Sequence, residues 1–258
     1  MKRRYVDVPY GQVHVAEAGE GRPVVLLHQT PRSGDEFAEV LPLLGRRWRA
    51  IAVDLPGMGA SSPRPEGASI EGYADGVLGA LDALGLDVFD LVGHHTGGVV
   101  AVEIAACVPD RVRRLVLSST PLIDAAGRDA RQGRPPIDAV DGRDDGGHLT
   151  ALWQGRQRFY PAGRPDILNR FVRDALRATD PEDGHRAVAR YRMEERLPLV
   201  RAEALVVGHA ADPHAYPALT PLAAAMGGAE TAVIADGMVP LELTAPAFAA
   251  IVEEFLAR

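Results

Sequence analysis

A histidine stands at the centre of a glycine-bounded turn in the first half of the chain. Gly93-x-His95-x-Gly97 has the spacing of the G-x-S-x-G elbow, in which the glycines permit a strained turn between a strand and a helix. The central residue of that elbow is usually a nucleophile, whereas an imidazole is suited to accept a proton near neutral pH. We therefore expect His95 to act as a general base that removes a proton from a substrate or from water.

The residues on either side of His95 predict the elements that position it. An apolar run from Phe89 ends at Gly93, and small residues with a helical pattern follow directly after the turn. Other apolar runs typical of strands alternate with helical patterns; they lie at residues 24–28, 49–55, 114–119, 204–208 and 231–234. This alternation predicts the α/β class, with a mostly parallel sheet and helices on both faces.

The alternation of strands and helices breaks between residues 121 and 200. The first part of this stretch is rich in Gly, Asp, Arg and Pro, and the remainder has a helical pattern. We interpret residues 121–200 as an inserted helical lid, and residues 1–120 and 201–258 as the core. Trp153 and Tyr160 either line the roof of a substrate cleft or pack the lid against the core.

The composition narrows the class of partner. The chain has 258 residues and a net charge of -7, without a run of Lys or Arg long enough to suggest nucleic-acid binding. No apolar stretch is long enough to span a bilayer, and the N-terminus lacks the pattern of a signal peptide. We expect a cytoplasmic protein that acts on a small molecule and binds neither nucleic acid nor membrane. A homodimer is compatible with the sequence.

Neither a cofactor site nor a metal site is predicted. The sequence contains no phosphate-binding loop of the G-x-x-x-x-G-K-[ST] type. Asp138, Asp141, Asp144 and Asp145 lack the spacing of a calcium loop, which favours a solvated acidic loop. Cys107 is the only cysteine, so an intrachain disulfide is excluded, and its apolar helical surroundings predict a buried structural thiol.

The chain resembles the α/β-hydrolase fold family over nearly its whole length. Residues 24–28 are similar to the strand before the family's oxyanion turn, and residues 54–61 match its D-x-P-G-x-G-x-S loop. Residues 93–97 match the nucleophile elbow, and residues 206–213 resemble the strand and turn that present the acid of the triad, with Asp212 at the acid's position. The resemblance implies an α/β-hydrolase fold with a helical lid and an enzyme of that fold.

The chain departs from the family pattern at the residues that carry the chemistry. His95 stands where Ser, Asp or Cys is usual, Met238 takes the place of the catalytic His, and Gln29 replaces a glycine of the oxyanion turn. A Ser-His-Asp relay cannot be assembled from these positions. We expect instead a non-standard site in which Asp212 orients His95 as a general base.

The expected site also contains groups that stabilise negative charge on the substrate. The backbone N–H of Thr96, and that of either Gln29 or Thr30, are the candidate oxyanion donors. The resemblance implies that His28 supports the oxyanion turn by hydrogen bonding. The other residues that we expect beside the substrate are Met238, Trp153 and Tyr160.

Proton removal by His95 suits several reactions of a small carbonyl-containing metabolite, such as an ester, a lactone or a polyketide-like compound. Activation of water would give hydrolysis, whereas direct proton removal would give elimination, cyclisation or decarboxylation. The residues do not distinguish hydrolysis from the non-hydrolytic reactions.

Other interpretations of the same residues remain open. The chain could be a catalytically silent ligand-binding protein on a degenerate hydrolase fold, since fold alone does not establish chemistry. Thr96 could be the nucleophile of a shifted elbow, and His209 or His214, which lie near Asp212 in sequence, could replace the missing triad histidine. Arg32 either contacts a polar or anionic substrate or is solvated.

Overall fold

A mostly parallel β-sheet forms the centre of the fold. The computed structural model describes residues 1–131, 133–235 and 239–258. The strands are β1 (Lys2–Val8), β2 (Gly11–Ala18), β3 (Pro23–Leu27), β4 (Arg49–Val53), β5 (Phe89–His94), β6 (Val112–Ser118), β7 (Glu203–His209) and β8 (Glu230–Ile234). Within the described residues they form one sheet in the order β1-β2-β4-β3-β5-β6-β7-β8. β2 is antiparallel to both of its neighbours, and every pair from β4 to β8 is parallel.

Helices cover both faces of the sheet. In chain order they are α1 (Leu41–Leu44), α2 (Ile70–Ala83), α3 (Thr96–Cys107), α4 (Ala125–Asp129), α5 (Gly147–Gln157), α6 (Pro165–Arg177), α7 (Asp183–Arg190), α8 (Met193–Arg196), α9 (Leu219–Ala225), α10 (Pro240–Leu243) and α11 (Ala245–Leu256). Short 3-10 helices lie at Gly34–Phe37, Leu197–Leu199 and Tyr216–Ala218. α2, α3 and α9 pack on one face, and α1, α10 and α11 pack on the other. The predicted mostly parallel sheet with helices on both faces is confirmed.

The composition of β3 shows why both faces of the sheet are covered. Val24 and Leu26 belong to the apolar cluster on one face, and Val25 and Leu27 belong to the cluster on the other. All four side chains are fully buried. A parallel strand between two layers of helices must be apolar at successive positions. β5, which leads directly to His95, is buried along its whole length for the same reason.

The chain leaves the sheet between β6 and β7. This stretch, residues 119–202, contains α4 to α8, and we call it the insertion. α5 and α6 enclose a small apolar cluster of their own, made by Leu152, Leu168, Phe171 and Ala175. α7 and α8 contact the core helix α3. The predicted lid of residues 121–200 falls on the insertion, and its function as a lid stays a prediction.

Cys107 is exposed, so the predicted buried thiol is wrong. It is the last residue of α3, and it shares a helix face with Glu103 one turn earlier. Its Sγ lies 3.0 Å from a carboxylate oxygen of Glu103 and 3.1 Å from the guanidinium of Arg196. The thiol therefore belongs to the polar side of a helix whose other faces are apolar.

Across the residues that the structure describes, no helix is both long enough and apolar enough to cross a membrane.

Candidate active site

His95 lies at a sharp turn between β5 and α3. Its φ of 47° and ψ of -114° are a strained conformation for a residue with a side chain. Two glycines permit the close packing that this turn requires. A Cβ at Gly97 would lie 2.0 Å from the carbonyl oxygen of Leu27, and a Cβ at Gly93 would lie 2.3 Å from that of Gly97. The strained residue of the elbow is thus His95 and not Thr96, which is the first residue of α3.

His95 is paired directly with Asp212, which follows β7. The Nε2 atom of His95 lies 2.9 Å from Oδ2 of Asp212, and the two side chains are 24% and 3% exposed. The Oδ1 atom of Asp212 accepts the backbone N–H groups of His214 and Ala215 at 2.9 and 3.1 Å. Burial acts to raise the pKa of Asp212, but the hydrogen bonds from His95 and the two N–H groups outweigh it and lower that pKa. Asp212 is therefore a fixed carboxylate that orients the imidazole.

Thr96, Gln29 and Thr30 line the same cavity as His95. The N–H of Thr96 is the first in α3, and the first N–H groups of a helix have no partner within it. The N–H of Gln29 donates to the Glu36 carboxylate at 2.9 Å, and its side-chain amide donates to the same carboxylate at 2.5 Å. The prediction that Gln29 is an oxyanion donor is therefore wrong, because the Glu36 carboxylate already accepts its N–H. The backbone N–H of Thr30 remains the other predicted donor. The hydroxyl of Thr30 is buried and has no hydrogen-bond partner among the described residues.

His28 supports the turn that carries these residues. Its Nδ1 lies 2.8 Å from the carbonyl oxygen of Gln29, and its Nε2 accepts the N–H of Leu55 at 2.9 Å. Because Nε2 accepts, the ring proton is assigned to Nδ1. Burial lowers the pKa of His28, which favours the neutral ring that both hydrogen bonds need. The imidazole contacts backbone groups of the turn and is fully buried.

Two further histidines share one hydroxyl behind the elbow. The Oγ atom of Ser118 lies 3.0 Å from Nδ1 of His94 and 3.0 Å from Nε2 of His209. Burial lowers the pKa of His94 well below its usual value and that of His209 to about 4. Both rings are buried and lie behind the cavity wall, whereas His214 lines the cavity. His209 is therefore a neutral, buried histidine with a structural role.

A cavity of about 620 Å³ lies in front of His95, between the core and the insertion. Tyr160 and Phe159 line it. Burial raises the pKa of Tyr160, so its hydroxyl keeps its proton. Trp153 packs against the apolar cluster between α5 and α6. The sequence left two positions open for these side chains, on the substrate cleft or in the packing of the lid. Tyr160 takes the first and Trp153 takes the second.

A second pair of His and Asp lies on the insertion side of the cavity. His185 lines the cavity, and its Nε2 is 2.8 Å from Oδ2 of Asp138. Arg156 donates to both oxygens of the same carboxylate. Asp138 is 1% exposed, so the predicted solvated acidic loop is wrong at this position, because Arg156 and His185 hydrogen-bond its carboxylate. Sequence patterns gave no sign of this pair, since its members are 47 residues apart.

The same region holds a group of potential metal ligands. One ligand atom each from Asp138, Glu182 and His185 lies within 4.8 Å of the others. Glu182, however, accepts the backbone N–H groups of residues 137–139, and Asp138 accepts from Arg156 and His185. These contacts supply the carboxylates with hydrogen-bond donors, so the arrangement is explained by protein groups alone.

Arg32 is fully buried and does not line the cavity. Its guanidinium lies 2.9 Å from Glu242, 3.2 Å from Asp174 and 3.6 Å from Glu36. Both predicted positions for Arg32, on the substrate or in solvent, are wrong. Three carboxylates enclose it instead. Glu36 is four residues away, but Asp174 and Glu242 lie 142 and 210 residues further along the chain, so local spacing cannot reveal the set.

Met238 lies outside the described residues, so its predicted place beside the substrate stays a prediction. Sequence reasoning missed Glu36 as a residue of the site, because no local pattern indicates that its carboxylate accepts hydrogen bonds from Gln29. The cavity wall has one signal in the sequence: Arg131 and Arg134 belong to the part of residues 121–200 that is rich in Gly, Asp, Arg and Pro.

Comparisons with known proteins identify the fold family of the chain. Residues 22–206, more than half of the chain, match the model of the alpha/beta hydrolase fold family. A "Serine hydrolase-like protein" of Danio rerio is 37% identical over 119 residues, which are 45% of this chain and 36% of that protein. The 2-hydroxy-6-oxo-2,4-heptadienoate hydrolase of Pseudomonas putida is 40% identical over 111 residues, which are 41% of this chain and 40% of that protein. The chain thus matches about two fifths of the length of these curated relatives.

Among solved structures, the enol-lactonase from Burkholderia xenovorans LB400 superposes with a TM-score of 0.79. It is 23% identical, and the match covers 99% of this chain and 100% of that one. At this identity the likeness shows the fold alone. The family match and the relatives named as hydrolases together support an enzyme of this fold.

Proposed function

This chain belongs to the α/β-hydrolase fold family, and on that premise we propose that it acts on a small carbonyl-containing metabolite through a general base, His95, without a cofactor. The observation that carries the proposal is the hydrogen bond of 2.9 Å between Nε2 of His95 and Asp212. It supplies an oriented imidazole at the position where the family usually holds a nucleophile.

The hydrogen bond assigns a role to each ring nitrogen. An ionised Asp212 accepts the proton on Nε2, so Nδ1 of His95 carries the free lone pair. Nδ1 has no hydrogen-bond partner among the described residues, and the ring lines the cavity. Nδ1 would take a proton from water, giving hydrolysis of an ester or lactone, or from the substrate, giving elimination, cyclisation or decarboxylation. Asp212 then stabilises the imidazolium that forms.

The start of α3 supplies stabilisation for the negative charge that develops on the substrate. The N–H of Thr96 lies at the positive end of the helix, beside the base. We assign a second contact to the backbone N–H of Thr30, because this residue follows β3 in the turn beside the elbow and lines the same cavity. Donors fixed before reaction stabilise an oxyanion without reorganisation.

The size of the cavity and the name of one relative support the substrate class. A volume of about 620 Å³ suits a small metabolite. The matched hydrolase of Pseudomonas putida is named for a substrate that contains carbonyl groups. We propose in addition that the insertion acts as a lid that excludes water during reaction.

The test compares two histidines that line the same cavity. We expect His95→Gln to lower kcat/KM for p-nitrophenyl esters and small lactones by about 10²- to 10⁴-fold, the usual contribution of a general base. His185→Gln is the matched control, since His185 also pairs with a buried aspartate. It should change kcat/KM by less than about 10-fold. Thermal unfolding of both variants shows that they fold.

Two results would contradict the proposal. Undiminished turnover by His95→Gln, or loss of turnover in His185→Gln alone, would move the base elsewhere. A covalent acyl adduct on Thr96 or on a serine, found by mass spectrometry, would replace general-base catalysis with nucleophilic catalysis. If the wild type binds substrate analogues and turns over none of the panel, the silent binding protein is the better description.

A further inference from the structure

The cavity wall formed by the insertion carries more positive charge than its carboxylates neutralise. The arginines that line the cavity are Arg131, Arg134, Arg156, Arg158 and Arg186. Among the described lining residues the only carboxylate is Glu182, and backbone N–H groups occupy it. The whole chain has a net charge of -7, so this wall has the opposite sign to the protein that contains it.

Two of the five guanidinium groups have carboxylate partners. Arg156 pairs with Asp138, and Arg186 lies 2.6 Å from both Asp180 and Asp183. The other three arginines form no ion pair with any residue in the described part of the chain; they are Arg131, Arg134 and Arg158. We call these three residues the arginine wall.

Two members of the arginine wall, Arg131 and Arg158, have contacts that do not involve a carboxylate. Arg131 donates to the carbonyl oxygen of Gly127 at 2.7 Å, and Arg158 lies 4.6 Å from the ring centre of Phe159. Burial and the positive charge of Arg134 lower the pKa of Arg131, and the negative charge of Asp124 offsets only part of this effect. The like charges of Arg131 and Arg134 repel each other, and a bound anion would reduce that repulsion.

We propose that the arginine wall binds a carboxylate of the substrate, while His95 acts on the carbonyl group at the other side of the cavity. This inference rests on the proposed function, and it narrows the substrate from a carbonyl compound to an anionic one. The planar fork of a guanidinium matches a carboxylate with two parallel hydrogen bonds. The aromatic lining, Phe159 and Tyr160, would contact the carbon skeleton between the two ends.

Binding of unreactive probes tests the wall without relying on turnover. Calorimetry would compare 4-phenylbutyrate with 4-phenylbutyramide, which differ in charge but little in shape. We expect the wild type to bind the carboxylate at least about 10-fold more tightly, and 0.5 M NaCl to reduce the difference. Arg134→Gln and Arg158→Gln should each weaken carboxylate binding by about 10-fold and leave amide binding unchanged.

Arg143→Gln is the matched control. Arg143 is an exposed arginine of the insertion that pairs with Asp145 at 2.9 Å and does not line the cavity. Its replacement changes the net charge by the same amount, so equal loss of affinity in this variant would contradict a local site. Equal affinity of the wild type for the two probes, or no saturable binding of the carboxylate, would also overturn the inference.

Two further measurements distinguish carboxylate binding from phosphoryl binding, and failure of this inference from failure of the proposed function. Tighter binding of 3-phenylpropylphosphonate than of 4-phenylbutyrate, by 10-fold or more, would replace the carboxylate with a phosphoryl group and so contradict the proposal. His95→Gln should bind 4-phenylbutyrate like the wild type. Loss of turnover in His95→Gln with unchanged binding would support both proposals, whereas turnover retained without carboxylate selectivity would contradict only the arginine wall.

Discussion

Replacement of Asp212 by asparagine tests whether the carboxylate determines the state of the base. The Oδ1 atom of Asp212 accepts two backbone N–H groups, and its Oδ2 accepts from His95 at 2.9 Å. In Asp212→Asn the amide oxygen would keep the backbone contacts, so the NH2 group would face Nε2. Nε2 can accept from NH2 only without its own proton, so the ring proton moves to Nδ1. The base then has no lone pair to offer the substrate.

The size of the effect follows from this hydrogen bond. A hydrogen bond to a charged group contributes about 1.5–3 kcal/mol, which corresponds to about 10- to 150-fold in rate. The change of tautomer adds to the loss of charge and brings the expected decrease in kcat/KM to about 10²- to 10⁴-fold. The variant keeps the backbone contacts, so its free energy of unfolding should fall by no more than about 3 kcal/mol.

Two measurements check the argument about Asp212. The ¹⁵N chemical shifts of the His95 ring should place the proton on Nε2 in the wild type and on Nδ1 in Asp212→Asn. A double-mutant cycle should show that Asp212→Asn has almost no effect on kcat/KM in the His95→Gln background, because the two residues act as one unit. An unchanged tautomer, or an equal loss of rate in both backgrounds, would refute the reasoning.

Three other substitutions test the scaffold of the site. Gly97→Ala should lower the free energy of unfolding in urea by about 3 kcal/mol, because the new Cβ would lie 2.0 Å from the backbone oxygen of Leu27. Gly155→Ala, with nothing within 4 Å, is its control. His209→Gln should remove part of the loss of folding stability that the wild type shows at acidic pH. Burial depresses the folded pKa of His209 to about 4, so its contribution to stability is present above the unfolded pKa of about 6.5 and is lost as the pH falls between these values. Between pH 7.5 and pH 5 the free energy of unfolding should fall by about 2 kcal/mol more in the wild type than in the variant. Thr30→Val should leave both the melting temperature and kcat/KM almost unchanged, since the buried hydroxyl has no described protein partner and valine keeps the backbone N–H that we assign as the donor.

Each of these three expectations has an opposite outcome. Equal stability of Gly97→Ala and Gly155→Ala would mean that the elbow can shift without cost. Parallel pH dependence of unfolding in the wild type and His209→Gln would show that the ring is not held neutral. A decrease of kcat/KM by about 10-fold in Thr30→Val would assign the contact to the hydroxyl in place of the backbone N–H.

The sequence was informative where one short segment determines its own structure. The apolar run of β3 and the glycines around His95 act through neighbouring residues, so the sheet and the elbow could be predicted. Asp212 could be placed after a strand, and the parallel order of the strands brings that loop to the elbow. Its direct contact with His95 needed the structure, because the family's separate histidine normally lies between those positions.

The burial and the partners of the charged and polar groups could not be predicted in the same way. Asp138 lies in a polar run that looks solvated, but Arg156 and His185, 18 and 47 residues later, bury it. Gln29 was expected to offer its N–H to a substrate, and a carboxylate seven residues later accepts it instead. Burial of a polar group depends on partners that only the tertiary structure brings together.

The enclosed guanidinium of Arg32 limits when the chain can complete its fold. During synthesis Glu36 is made almost at once and Asp174 much later, and Glu242 follows Arg32 by 210 residues. Until then Arg32 lacks the carboxylate that lies 2.9 Å away in the finished protein, and a buried charge without its partner costs about 3–5 kcal/mol. A nascent chain on the ribosome would therefore keep this side chain in water until its final helices emerge.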